Sequence, residues 1–409
     1  MKPPHTALPV EDVIGDIQSA LNQSGMGVLV APPGSGKTTV VPLRLLEMVS
    51  GKILVLEPRR LATRAAARRM AYHLSESVGE TVGYVTRDDR RPGRRIEVVT
   101  EGILTRRLQN DPSLEGVGLV VFDEFHERNL VSDLGLALAL DTRSALRPDL
   151  GILVMSATID AEGVAGFLSS ASESKPPVPV ITAQGRSHPV DIRWQPPRGR
   201  IRMEDHVAGL VRTALDTESG GDVLVFLPGM GEINRVADRL GDVLAEVHRL
   251  HGSLPPSDQD RAISPSTPPF RKVVLSTDIA ETSITVEGVR VVIDSGMARS
   301  PRYDARTGMT RLTTIPISRA SADQRAGRAG RTEPGVAIRA WARLEHGARP
   351  PQIEPEITQV DLAGFMLELA SWGIGDPTQL PFLEPPPPRS VEEALLLLTR
   401  LGALDDRYR

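Results

Sequence analysis

At 409 residues the chain is too long for one ordinary core and fits two or three domains of about 100–200 residues each. Its apolar runs, such as Gly118–Phe122 and Leu395–Leu398, fall far short of the roughly 18–20 residues a membrane helix needs, and no basic-then-apolar leader opens it, so cytoplasmic residence is the expectation. A net charge of −4 excludes bulk attraction for polyanions, and the lack of any cysteine excludes disulfides, thiolate metal ligands and cysteine nucleophiles.

Short, β-branched apolar segments at Val28–Ala31, Ile53–Leu56, Ile96–Thr100, Leu119–Phe122 and Ile152–Met155 read as buried parallel strands. Helical stretches such as Leu61–Leu74 and Leu130–Leu140 lie between them, and this alternation predicts a doubly wound α/β sheet. The pattern breaks at the Ser- and Pro-rich segment Ser169–Pro179. It resumes with Val223–Leu227, Val247–His251, Lys272–Ser276 and Val289–Asp294, a second α/β domain of similar plan. After Trp341 the alternation stops. Prolines at 350–355 and 381–388 punctuate two helical segments, Asp361–Ser371 and Val391–Leu401, which predict a small helical appendage. Pro385–Pro388 reads as a stiff connector, with a ligand for a proline-binding module as the alternative, and Ser390 with Glu393 predicts a capping box at the last helix. The expected domains are therefore 1–185, 186–343 and 344–409.

Ala31-Pro-Pro-Gly-Ser-Gly-Lys-Thr38 follows an apolar strand and opens a helix. In that context Gly34, Ser35 and Gly36 let backbone N–H groups converge on phosphate, Lys37 reaches the β- and γ-phosphates, and Thr38 offers a hydroxyl to Mg²⁺. Ala31 stands where the longer form of the motif has its first glycine. Leu119–Phe122 ends in Asp123 and Glu124, two carboxylates at the edge where the phosphate loop also opens. Glu124 is the natural metal ligand and helper of an attacking water, with Asp123 beside it. An acidic helix start accounts for one of these acids, hardly for both followed by His126, which reads as a hydrogen-bonded link from the nucleotide to the second domain. The histidines are otherwise scattered and show no metal-ligand spacing.

Gln324-Arg-Ala-Gly-Arg-Ala-Gly-Arg331 supplies the complement. On a helix Gln324, Arg328 and Arg331 share a face, and Gly327 and Gly330 let it approach another surface closely. Arginines so placed neutralise charge on a transferred phosphoryl group while Gln orients water, and nearly 300 residues separate them from Lys37, as in a nucleotide held between two domains. Only five of the 48 basic residues are lysine, leaving 43 arginines. Arginine suits bidentate phosphate recognition, a compositional bias is the plainer reading, and position has to decide between them.

With these residues in view the chain resembles the DEAH/RHA group of superfamily 2 helicases, most closely its bacterial HrpB-type branch. The resemblance runs from about residue 10 to the end and is carried, in order, by Gly34–Thr39, Glu57–Ala62, Thr100–Leu104, Asp123–His126, Ser156–Thr158, Phe226–Gly229, Ser276–Ser283 and Gln324–Arg331. It implies two RecA-like domains followed by a winged-helix-like one, ATP and Mg²⁺ as cofactors, and single-stranded RNA, or else DNA, as the track. It implies that Thr39 joins the phosphate loop, that Arg59, Arg60, Thr100, Gly229 and Thr277 touch the strand's backbone, and that Ser156 and Thr158 couple hydrolysis to the domain interface. Ser283 and Glu287 would sense the nucleotide and Arg69 would stack on its base. A hairpin at Tyr303–Ile317, turning at Arg306-Thr-Gly308, would separate strands.

Phe125 and Glu57 replace the Ala and Gln common in the group and favour the HrpB-like subtype. Asp278 replaces an Asn beside the expected strand contact. Met297 takes the place of an aromatic that stacks on the base, and its thioether predicts weak base discrimination. Relatives continue into a helical ratchet domain and an oligonucleotide-binding fold that this chain lacks, so it is expected to be either a truncated product or a reduced member that unwinds poorly.

Overall fold

The computed structural model describes residues 8–157, 160–172, 176–185, 188–218, 220–266, 270–282, 284–304, 307–331 and 333–405. Thr158, Ser283 and Arg306 of the expected sites lie outside them. The chain forms two compact units, one of Met1–Gly185 with Pro301–Arg311 and Glu354–Arg409, the other of Arg186–Ser300 with Leu312–Ile353.

In the first unit, α1 (Ile14–Ser24), β1 (Met26–Val30), α2 (Lys37–Arg44), β2 (Lys52–Glu57), α3 (Arg60–Leu74), β3 (Val82–Val85), β4 (Arg90–Arg91) and β5 (Ile96–Thr100) follow one another. Then come α4 (Glu101–Asn110), β6 (Val117–Phe122), α5 (Leu130–Ala145), β7 (Gly151–Ser156), α6 (Ala161–Ala171) and β8 (Val180–Thr182). The strands form one sheet, β4-β3-β5-β2-β6-β7-β1-β8, parallel except for β4. Alternate strand residues serve opposite faces. Val28, Leu54, Val120, Phe122 and Val154 join the core under α4 and α5, while Leu29, Ile53, Val55, Val121 and Leu153 join the one under α1 and α3. The break expected at Ser169–Pro179 is short, because α6 occupies its start and β8 returns to the same sheet beside β1.

The second unit has β9 (Val190–Trp194), α7 (Met203–Thr217), β10 (Asp222–Phe226), α8 (Met230–Leu240), β11 (Ala245–Leu250), α9 (Pro256–Ile263), β12 (Arg271–Ser276) and β13 (Val289–Asp294). A hairpin of β14 (Met297–Asp304) and β15 (Met309–Pro316) follows, then α10 (Arg319–Ala326), β16 (Gly335–Arg339) and α11 (Arg343–Gly347). Its parallel sheet has the order β11-β12-β10-β13-β16-β9. Both units are RecA-like parallel α/β sheets, as the alternation predicts. Arg349 closes the root of the hairpin: its Nη1 donates to Gly296 O at 2.7 Å and Ile317 O at 3.1 Å while its guanidinium lies 4.2 Å from the Trp341 ring centre.

The tail carries α12 (Ala363–Ser371) and α13 (Pro388–Arg400). From Glu354 onward it is no separate body. Ile357, Leu362, Phe365, Met366, Leu369, Ala394 and Leu398 complete the core that contains Leu104, Leu134 and Leu138. Trp372 Nε1 donates to Asp141 Oδ2 at 2.8 Å, and Glu356 accepts from Leu130 N at 2.8 Å. The capping box expected at Ser390 does not form: α13 begins two residues earlier, with Pro388 at its first position, where a missing N–H costs nothing. Glu393 instead takes Arg389 Nε at 3.0 Å.

Candidate nucleotide site and its arginine loop

The loop after β1 turns on two glycines. Gly34 and Gly36 have φ of +86° and +95°, left-handed values that side chains resist, and they aim the start of α2 across the carboxyl edge of the sheet. Lys37, the first residue of α2, is buried. Its Nζ lies 2.9 Å from Glu124 Oε1 and 4.0 Å from Asp123 Oδ1, and Thr38 Oγ1 donates to Asp123 Oδ2. The expected lysine, hydroxyl and two carboxylates therefore meet in one buried cluster. Thr39 N closes the same turn onto Gly36 O at 3.2 Å.

Asp123 and Glu124 lie just past β6, where the strand ends in a tight turn that puts Glu124 at φ +51°. His126, in that turn, has Nδ1 3.4 Å from Glu124 Oε2 and accepts from Ala157 N at 3.5 Å. It thus reaches from Glu124 to the end of β7, whose last residue, Ser156, accepts from Ala31 N of the phosphate loop at 2.9 Å. Phe125 fills the core, edge-on to Phe122 with ring centres 6.3 Å apart.

Electrostatics explain why the cluster is tight. Burial opposes the Lys37 charge, but Glu124 and Asp123 outweigh it and hold the pKa above the usual lysine value. Burial lifts Asp123 to about 6; Lys37 pulls it down and Glu124 pushes it up. Glu57, the last residue of β2, joins this cluster without being predicted to. It is fully buried, and burial with the Asp123 and Glu124 charges raises its pKa well above the ordinary carboxylate value. The signal for it was the one that found Asp123: a carboxylate ending a buried parallel strand.

The strand-contact candidates of the first unit share this edge. Arg59 precedes α3 and pairs with Glu127 at 3.2 Å, Arg60 pairs with Asp88, and Thr100 precedes α4. Arg69 is exposed, its guanidinium 5.8 Å from the Tyr72 ring centre. In the second unit, Gly229 and Thr277 begin the segments after β10 and β12, again at the carboxyl edge. Glu287 is exposed in the turn before β13, and Met297 opens β14 half-buried.

The helical face expected for Gln324, Arg328 and Arg331 does not exist as such. α10 stops at Ala326, and the next residues turn through i→i−3 bonds, Arg328 N to Arg325 O at 3.1 Å and Ala329 N to Ala326 O at 3.0 Å. Gly330 sits where a Cβ would come within 2.5 Å of His188 O, so close approach governs this residue as expected. Released from the helix, Arg328 spreads over a neighbouring loop. Its Nε donates to Glu281 O and its Nη1 to Ile284 O, both at 2.7 Å, and Nη2 also donates to the carbonyls of Glu281 and Thr282. Arg331 donates to Thr285 Oγ1. Gln324 is buried beside them.

Arg325 lies off the predicted face, yet it anchors the loop. It is buried, with Nε 2.8 Å from Glu281 Oε2, Nη1 2.9 Å from Asp294 Oδ1, and the guanidinium 4.8 Å from the Phe226 ring centre. Burial opposes its charge, and Asp294 and Glu281 more than restore it, holding its pKa above the ordinary arginine value.

A phosphate loop, a strand-end acid pair and two RecA-like sheets define a P-loop nucleotide-binding protein of the helicase type. The DEAD/DEAH box helicase family matches residues 11–166, and the Helicase conserved C-terminal domain matches residues 205–333. The chain is 47% identical over 409 residues to the ATP-dependent RNA helicase HrpB of Escherichia coli (strain K12), covering 98% of this chain and 49% of that protein. It is 36% identical to the probable ATP-dependent RNA helicase DHX34 of Homo sapiens, covering 98% of this chain and 36% of that protein. The crystal structure of Escherichia coli DEAH/RHA helicase HrpB superposes with a TM-score of 0.91 at 46% identity, over 98% of this chain and 51% of that one. The chain belongs to the DEAH/RHA group of helicases, and it spans about half or less of the length of these curated relatives.

Proposed function

We propose that the chain hydrolyses ATP to drive movement along, or remodelling of, single-stranded nucleic acid, with RNA as the track. The observation that carries this reading is the buried cluster of Lys37, Thr38, Asp123 and Glu124 at the end of the phosphate loop. In it Lys37 binds the β- and γ-phosphates, Glu124 takes the proton of the attacking water, and Gly34, Ser35, Gly36 and Thr39 cradle phosphate through the loop and helix start. The hard oxygen donors of Thr38, Asp123 and Glu124 fit Mg²⁺, which they would hold and which would supply positive charge against the phosphates. Gln324 orients water, and Arg328 and Arg331 meet the charge that develops on the γ-phosphoryl group. Ser283, Glu287, Arg69 and Met297 serve nucleotide sensing and base contact. His126, Ser156 and Thr158 couple the acid pair to the rest of the motor.

Arg59, Arg60, Thr100, Gly229 and Thr277 hold the strand through its backbone, a grip that positions without reading sequence. The similarity to an RNA helicase, HrpB, and to a probable one, DHX34, supports RNA over DNA. Residues 344–409 are taken as a winged-helix-like module, the hairpin of β14 and β15 as the strand separator. Among the described residues no helix is long and apolar enough to cross a membrane, which fits a cytoplasmic site of action. The test is steady-state ATPase alone, with single-stranded RNA and with single-stranded DNA, beside Glu124→Gln. RNA-stimulated turnover that falls by about 10²–10⁴-fold in the variant is expected. Equal turnover by variant and wild type would sink the catalytic reading and leave a binding protein, and stimulation by DNA alone would overturn the RNA assignment.

A further inference from the structure

The sheet of the first unit ends on β4, a two-residue strand made of Arg90 and Arg91, both exposed. Beside it runs a row on α3, Arg60, Arg64 and Arg68, each four residues from the next and so on one face of the helix. An ion pair and shared packing tie the row to the edge, since Ala67 and Met70 of α3 share a core with Val82 and Tyr84 of β3. Arg60 pairs with Asp88 in the turn between β3 and β4, and Tyr84 is paired with Arg91 across the sheet. The turn's two acids are engaged, Asp88 by Arg60 and Asp89 by the Tyr84 hydroxyl at 2.5 Å. Exposed Arg87 and Arg94 flank the strand. On a chain of net charge −4 these seven arginines make a basic strip.

Its position gives it a direction. Because β3 and β5 are parallel, the β3–β4 turn lies at the same sheet edge as Thr100, and Arg60 opens the row there. Both α3 and β4 then lead away from that edge. Charge on a short edge strand also guards against edge-to-edge aggregation, but that role needs only β4 and leaves the row on α3 unexplained.

We propose that this strip binds the phosphate backbone of nucleic acid running on from Arg59 and Arg60, so that the strand's footprint continues over the β3–β4 edge. The proposal rests on the strand-contact reading above. The strip adds affinity that is electrostatic and blind to sequence, and takes no part in hydrolysis.

The test is Arg68→Gln/Arg90→Gln/Arg91→Gln in the full chain, with anisotropy of labelled oligouridylates of about 8 and about 30 nucleotides measured between about 50 and 200 mM salt. The variant should bind the longer RNA about tenfold more weakly at the lower salt, with a log–log salt slope shallower by about 2, from three charges at ~0.7 each. Affinity for the shorter RNA, basal ATPase and melting midpoint should not change. The charge-retaining Arg68→Lys/Arg90→Lys/Arg91→Lys must restore binding of the longer RNA, and its failure to do so overturns the proposal. Unchanged affinity and slope in the Gln variant would also overturn it and leave edge protection, seen then as increased light scattering. Wild-type protein that binds neither RNA would instead defeat the strand-contact reading itself, and the strip proposal with it.

Discussion

Glu124 shows how a single backbone angle serves chemistry. A left-handed glutamate is uncommon and costs of order 1–3 kcal/mol, and here it swings the carboxylate back over Lys37 rather than onward with the strand. Arg325 is the counterpart in the second unit. Its charge is offset chiefly by Glu281 and Asp294, so removing it leaves two buried carboxylates without their cation. Arg325→Met should lower unfolding free energy by about 3–5 kcal/mol, measured by urea denaturation, and a loss below about 1 kcal/mol would show that the ion triad does not hold the loop. Lys37 and Glu124 could be read from sequence because each sits at a fixed offset from a strand end. Arg325, one residue from Gln324, could not be separated from its neighbours, since its role comes from carboxylates 31 and 44 residues away.

The elements differ in how far their ends could be read. The middle of α3, α5 and the buried strands follow from apolar periodicity, which is strong over many residues. The end of α10 does not, because Gly327 and Gly330 are compatible with a helix and with a turn, and packing against His188 selects the turn. α4 carries a pH-dependent weakness. Asn129 donates to Glu101 at 2.7 Å, but burial, aided by Glu127, Glu356 and Asp133, lifts Glu101 to about 8 from the ordinary 4.5. Folding therefore favours the protonated acid, and that contribution is complete below pH 4.5 and lost as pH rises through 8. Glu101→Gln keeps an acceptor for Asn129 without the charge. Its melting midpoint should exceed wild type above about pH 8 and match it near pH 5. An equal shift at both pH values would show that the charge is not the cause.

At the scale of the molecule, the tail is the part whose place the chain order hides. Helices α12 and α13 bury their apolar faces in the core beneath α4 and α5, more than 200 residues earlier in sequence. A chain ending at Ile353 should therefore expose that core, and the first unit should lose its cooperative thermal transition and bind a hydrophobic dye. An unaltered transition would show that the tail adds nothing to the fold. By itself the sequence determined the two α/β sheets, the phosphate loop and the acid pair, because each depends on periodicity and spacing within a few tens of residues. Only the tertiary structure decided that Glu57 shares the acid cluster, that Arg325 and Arg328 hold the 281–285 loop, and that the tail completes the first unit's core. Those outcomes depend on which strand ends and helix faces meet in space, and burial sets their energies.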